Sequence, residues 1–89
     1  MAYKVISFYR YEEIEQPGVL SDLVRNKCQE LEILGRILIG KEGINGAISG
    51  TINSIGSFKE FIQKKFSNLT FREQNHQKNS YHKLFSTLN

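Results

Sequence analysis

Two short stretches and one scattered set of cations in this 89-residue chain have the residue types and spacing to do chemistry. Tyr9-Arg10-Tyr11 sets a cation between two aromatics. Bases can stack on such rings while the guanidinium meets a phosphate. In the competing reading Tyr9 packs, the other two are ordinary edge residues, and Glu12, Glu13 and Glu15 repel an anion lying within a Debye length of about 8 Å. The run from Gly40 to Gly50 is rich enough in glycine for its backbone N–H groups to form an anion-binding nest, with Lys41 and Asn45 as the side chains able to add to it. No lysine-serine pair of the nucleotide-binding type follows, so Gly40, Gly43, Gly46 and Gly50 are expected instead to serve a tight structural turn and close backbone approach. Lys59, Lys64, Lys65, Arg72, Lys78 and Lys83 make either a diffuse footprint for an RNA backbone or, for the first three, the solvated face of a helix.

Catalytic chemistry has less to draw on. Cys28 is the only cysteine, which excludes an internal disulfide and the usual cysteine-rich zinc cluster. A nucleophilic thiol needs a positive charge or a helix N-terminus to lower its pKa, whereas Cys28 falls mid-helix on an apolar stripe and is expected to be buried and unreactive. His76 and His82 lack a helical ligand spacing, and no partner for general-base use is visible. No catalytic residue, metal site or cofactor is expected.

The net charge of +3 conceals an asymmetry: residues 1–50 carry six Lys/Arg against seven Asp/Glu, and residues 51–89 six against two. That balance is compatible with an anionic partner and equally with simple solubility. No apolar run approaches the roughly 20 residues of a membrane span. The N-terminus leads into a strand-like run rather than a secretory signal, so a cytoplasmic location is expected. At this length one domain with one modest core is expected.

These residues must be positioned by a small set of elements. Tyr3 to Tyr11 reads as a strand with Ile6 and Phe8 on one face and Val5, Ser7 and Tyr9 on the other. Pro17 suits the first turn of a helix whose apolar stripe is Leu20, Leu23, Val24, Cys28 and Leu31, with Gly35 following it. A hairpin of strands 35–40 and 44–50 comes next. Ile55, Phe58, Phe61, Ile62 and Phe66 mark a second helix, capped either by Thr51 or, for a late start, by Ser57 with Glu60. Leu69 to Gln74 is read as a fourth strand, Asn75 to Ser80 as a polar loop, and Tyr81 to Leu88 as a short final segment able to add another strand. The order strand, helix, strand, strand, helix, strand predicts an α+β, ferredoxin-like βαββαβ sandwich, with a four-stranded antiparallel sheet, the first and third strands central, and both helices on one face.

The run Lys41-Glu42-Gly43-Ile44-Asn45-Gly46-Ala47-Ile48-Ser49-Gly50-Thr51, preceded by Gly35-Arg36-Ile37-Leu38-Ile39, resembles the glycine motif in the acylphosphatase-like N-terminal domain of rhodanese-related tRNA wobble-uridine hydroxylases. Tyr9-Arg10-Tyr11 and Tyr81-His82-Lys83-Leu84 add weaker matches. The resemblance implies a bacterial, cytoplasmic tRNA-modifying oxidoreductase that makes 5-hydroxyuridine at the wobble position, its catalytic cysteine in a sulfurtransferase-like rhodanese domain absent from this chain. It further implies that residues 1–89 are an accessory domain that positions tRNA or the catalytic domain. Possible RNA or partner contacts are then Tyr9, Arg10, Tyr11, Lys41, Asn45, Lys78 and Lys83. Two alternatives stay open. One is a small-molecule regulatory module; the other is an acylphosphatase-like hydrolase in which Arg10 and Asn45 take the parts of that enzyme's arginine and asparagine.

Overall fold

The computed structural model describes residues 2–76 and 87–88. Within these the elements run β1 (Tyr3–Tyr11), α1 (Pro17–Glu30), β2 (Leu34–Gly40), β3 (Gly43–Thr51), α2 (Ile52–Gln63), β4 (Arg72–His76) and β5 (Thr87–Leu88). The sheet order is β4-β1-β3-β2-β5. The first four strands in chain order form the expected antiparallel sheet with β1 and β3 central, and β1 pairs with β3 along its whole length, from Tyr3 opposite Thr51 to Tyr11 opposite Gly43. A fifth, two-residue strand, β5, falls in the final segment read as able to add one, and joins β2 in parallel.

Alternation in β1 turns Ile6 and Phe8 under the helices, where they meet Val24 and Cys28 of α1 and Ile55, Phe58 and Ile62 of α2 in one core. Both helices therefore cover the same face. Pro17 opens α1 at its first position, where its missing N–H is no loss, and no side chain caps the helix there. The buried stripe of α1 runs through Ser21, Val24 and Cys28. Leu23, expected to face inward, is exposed, because the spacing 17, 21, 24, 28 places it beside the stripe rather than on it.

The stop signal of α1 also differs from the expected Gly35. Glu32 adopts φ +55°, its N–H reaching the Gln29 carbonyl at 3.2 Å, while the Ile33 N–H reaches that of Cys28 at 2.9 Å. That pair of bonds is a Schellman closure built on a glutamate, and it delivers Ile33 into the core with no exposure.

Thr51 rather than Ser57 caps α2, its hydroxyl accepting from the Ser54 N–H at 3.1 Å. The fourth strand begins at Arg72 and not at Leu69. Asn68, at φ +61°, ends a turn; Leu69 then drops into the core, and Phe71 sets its ring edge-on to Phe8 at 5.7 Å. Those apolar residues serve packing and leave the ladder to an all-polar segment that pairs only with Tyr3–Ser7 of β1. Of the expected polar loop 75–80, residues 75 and 76 belong to this strand; the remainder, and residues 81–86, lie outside the described residues.

Candidate functional site

The helix-free face of the sheet follows directly from the register. Its rows run across strands: Tyr9 of β1, Asn45 of β3 and Leu38 of β2 form one, and Arg72 of β4, Ser7, Ala47 and Arg36 form the next. Tyr11 and Gly43 lie one step beyond Tyr9 and Asn45, toward the hairpin end. Tyr9 and Tyr11 are 68% and 83% exposed, far from the burial usual for large rings, and they meet edge to face at 5.9 Å. Asn45, Arg36 and Arg72 are exposed as well.

An open groove of about 880 Å³ runs round this end of the sheet and is lined by Tyr9, Arg10, Tyr11, Lys41 and Asn45 among others. A second groove shares Tyr9, Arg10, Tyr11 and Asn45 and continues past Ser7 and Arg72 to the turn at Asn68. The structure thus brings together five of the contact residues singled out from sequence, Tyr9, Arg10, Tyr11, Lys41 and Asn45. Lys78 and Lys83, like Tyr81, His82 and Leu84, lie outside the described residues.

Within that group of five the Arg10 guanidinium is already engaged. Arg10 shares the orientation of Ile6 and Phe8, toward the helix side, where its guanidinium donates to the Ser67 carbonyl and lies 3.5 Å from a Glu12 carboxylate oxygen. Asn45 is paired with Tyr9 and projects from the opposite face. Arg10 and Asn45 leave their strands on opposite faces although both line the same grooves, and the engagement of the guanidinium by Ser67 and Glu12 counts against the acylphosphatase-like alternative.

The glycines divide by purpose. Gly43, at φ +146°, lets its backbone approach β1 so closely that a Cβ would meet the Arg10 carbonyl oxygen at 2.0 Å. Neither turn residue, Lys41 or Glu42, takes a positive φ. The turn is fastened instead by its carbonyls, with Glu12 N–H donating to Glu42 O and Ile14 N–H to Lys41 O, each at 3.0 Å. Gly46 and Gly50 lie inside β3, under Phe8 and against Ile33.

Of the second-half cations, Lys59 is occupied structurally: it reaches a Glu73 oxygen at 2.6 Å, with Lys4 on the other oxygen at 3.0 Å, and lies 5.3 Å from the centre of the Phe71 ring. Hydrogen bonds from Lys59 and then Lys4 hold the Glu73 carboxyl below its ordinary pKa. Arg72 is the member of that set on the helix-free face, opposite Ser7. Arg36 was missed in sequence. Its signal was the alternation of β2, where buried Gly35, Ile37 and Ile39 leave position 36 facing out.

The sole thiol is removed from chemistry. Cys28 is fully buried, and desolvation pushes its pKa up to about 12. Among the described residues no three His, Cys, Asp or Glu side chains gather as metal ligands, and no helix is long and apolar enough to cross a membrane.

A sheet of this strand order with two helices on one face defines an α+β sandwich of the acylphosphatase kind. Solved structures agree on the fold: the acylphosphatase of Bacillus subtilis superposes with a TM-score of 0.59 at 17% identity, covering 99% of this chain and 98% of that one. The protein described as BlrP1 BLUF reaches 0.73 at 15% identity over 99% of this chain and 64% of its own. Sequence comparison narrows the class. The chain belongs to the UPF0176 acylphosphatase-like domain family, whose model matches residues 3–87. It is 33% identical over 85 residues to the tRNA uridine(34) hydroxylase of Cytophaga hutchinsonii, covering 93% of this chain and 27% of that protein. It is 35% identical over 74 residues to the protein of the same name from Staphylococcus saprophyticus, covering 81% and 23%. The chain thus spans about a quarter of the length of these relatives.

Proposed function

We propose that these residues form a non-catalytic accessory domain of a bacterial, cytoplasmic tRNA uridine(34) hydroxylase, positioning tRNA for a covalently linked, rhodanese-like catalytic domain. One observation carries this reading: the chain matches proteins of that name along most of its own length while accounting for about a quarter of theirs. The chemistry of the domain supports it. A thiol pushed up to about 12 by burial is no nucleophile, and the guanidinium of Arg10, the arginine a phosphatase would need, is already engaged by Ser67 and Glu12. What the domain offers is surface: exposed rings, an amide and cations on one side, all suited to holding a substrate whose reacting atoms lie elsewhere.

The test begins with the endogenous polypeptide. Continuation past Asn89 into a domain with a cysteine-bearing anion loop is the expected result. In that protein, deletion of residues 1–76 lowers the 5-hydroxyuridine content of cellular tRNA even though the catalytic cysteine is intact. A polypeptide that stops at Asn89, or one whose truncation leaves 5-hydroxyuridine unchanged, overturns the reading.

A further inference from the structure

We propose that the helix-free sheet face binds a short single-stranded RNA segment, stacking a base on Tyr9 and Tyr11, reading its edge with Asn45 and holding flanking phosphates with Arg36 and Arg72. This rests on the tRNA reading above for its biological setting and adds to it the surface, the residues and the form of RNA recognised.

Charge distribution on the sheet comes first. No strand position assigned to this face among the described residues carries Asp or Glu, whereas Arg36 and Arg72 both project from it. Neither arginine is held in an ion pair or hydrogen bond among those residues, unlike Lys4, Arg10, Lys27 and Lys59 on the helix side. Free guanidinium groups on a face without carboxylates favour a phosphate-bearing partner.

Spacing comes next. Arg36 and Arg72 occupy one row three strand spacings apart, about 14 Å, with only Ser7 and Ala47 between them. The Tyr9–Asn45 row lies two residues along the strands, about 7 Å away. A base on the second row can therefore keep its neighbouring phosphates over the first, with small side chains leaving room for the sugar. Asn45 sits directly across from Tyr9, so its amide, both donor and acceptor, is beside whatever stacks on that ring.

The form of RNA follows from the rings. A paired base has both faces occupied by its neighbours, and only an unpaired base can lie on tyrosine. Glu12 and Glu42, joined through the Glu12 N–H and the Glu42 carbonyl, border the hairpin end and repel phosphates there, which orients the segment with its backbone toward the arginines. The unpaired loop of a tRNA has the required form; a duplex does not.

The chain has no tryptophan and four tyrosines, so stacking reads out directly as quenching of tyrosine fluorescence. Titration of residues 1–89 with oligouridylate and with tRNA should quench that emission. The Tyr9→Ala and Tyr11→Ala substitutions should each lower affinity about fivefold or more, and Tyr9→Phe should retain it, since stacking needs the ring alone. Arg36→Ala and Arg72→Ala should each reduce the slope of log affinity against log salt by about 0.7. Lys64→Ala and Lys65→Ala, at the end of α2 on the helix side, should change neither. All these positions but Arg36 and Arg72 are controlled for folding by the thermal melt, and those two by Arg→Lys variants that retain the charge. Bound tRNA with wild-type affinity in the tyrosine variants overturns this surface while leaving the hydroxylase reading intact, and failure to bind either RNA overturns it as well. Oligouridylate binding by these residues in a polypeptide that ends at Asn89 supports the surface and removes the hydroxylase reading.

Discussion

Phe8 and Gly46 face each other across β1 and β3, and the ring takes the space a side chain at 46 would need: a Cβ there would come 2.6 Å from Cζ of Phe8. The same ring lies 5.9 Å from that of Phe58 and 5.7 Å from that of Phe71. One missing side chain thus seats the aromatic that joins β1, α2 and the segment before β4. The Gly46→Ala substitution should destabilise the fold by about 1–3 kcal/mol through overpacking. Urea unfolding followed by circular dichroism measures it, and an unchanged midpoint would show that Phe8 has another rotamer available.

Two surface positions should respond in the opposite sense. Gly56 is exposed within α2, with nothing within 4 Å of the place a Cβ would occupy. Gly56→Ala should therefore add about 0.5–1 kcal/mol by restricting the unfolded chain. Glu32, at φ +55°, holds a conformation that L-residues resist by about 1–2 kcal/mol, so Glu32→Gly should also raise the melting temperature. A fall in either variant would contradict the backbone described.

Acid should loosen the contact between α2, β1 and β4. Glu73 has a lower pKa folded than unfolded, because Lys59 and Lys4 bond its ionised form. The unfolded chain then binds the proton more readily. The stability it contributes is present above the ordinary carboxylate range and is lost as pH falls through the lower, folded value. The effect is modest and weakens with salt, since all three side chains are partly exposed. Glu73→Gln should flatten the pH dependence of the urea midpoint; an identical profile in that variant would assign the acid response to other groups.

Cys28 should resist thiol reagents at neutral pH until the chain unfolds. Its thiol is fully buried and its pKa is pushed up to about 12, so the thiolate fraction is negligible. The rate of modification by a disulfide reagent should follow urea-induced unfolding, whereas rapid labelling of the native protein would require an opening of α1.

What could be read from sequence was what local spacing determines. Pro17, the β1 alternation and the paired apolar runs around Lys41-Glu42 each signal their element within a few residues, and together they implied the topology. β4 was misplaced because Leu69 and Phe71 look like strand residues but serve the core, while Arg72–His76 becomes a strand only by pairing with β1. The candidate surface was legible in part for the same reason. Tyr9, Tyr11, Lys41 and Asn45 stood out by type, but Arg36 joins Arg72 across four strands only through register, and register is a long-range property. The alternation of β1 carried to its end would have set Arg10 with Ile6 and Phe8, apart from Tyr9 and Tyr11.

β4 accompanies β1 only as far as Ser7, so among the described residues Phe8–Tyr11 have no strand on that side. Such a half-open edge is a template on which a strand from another molecule can grow. Here the turn leading to Phe71 flanks it across the second groove, and the Arg10 guanidinium fastens that turn down through the Ser67 carbonyl. The consequence is colloidal: releasing that turn would leave the fold largely in place and make the molecule more prone to edge-to-edge association and precipitation.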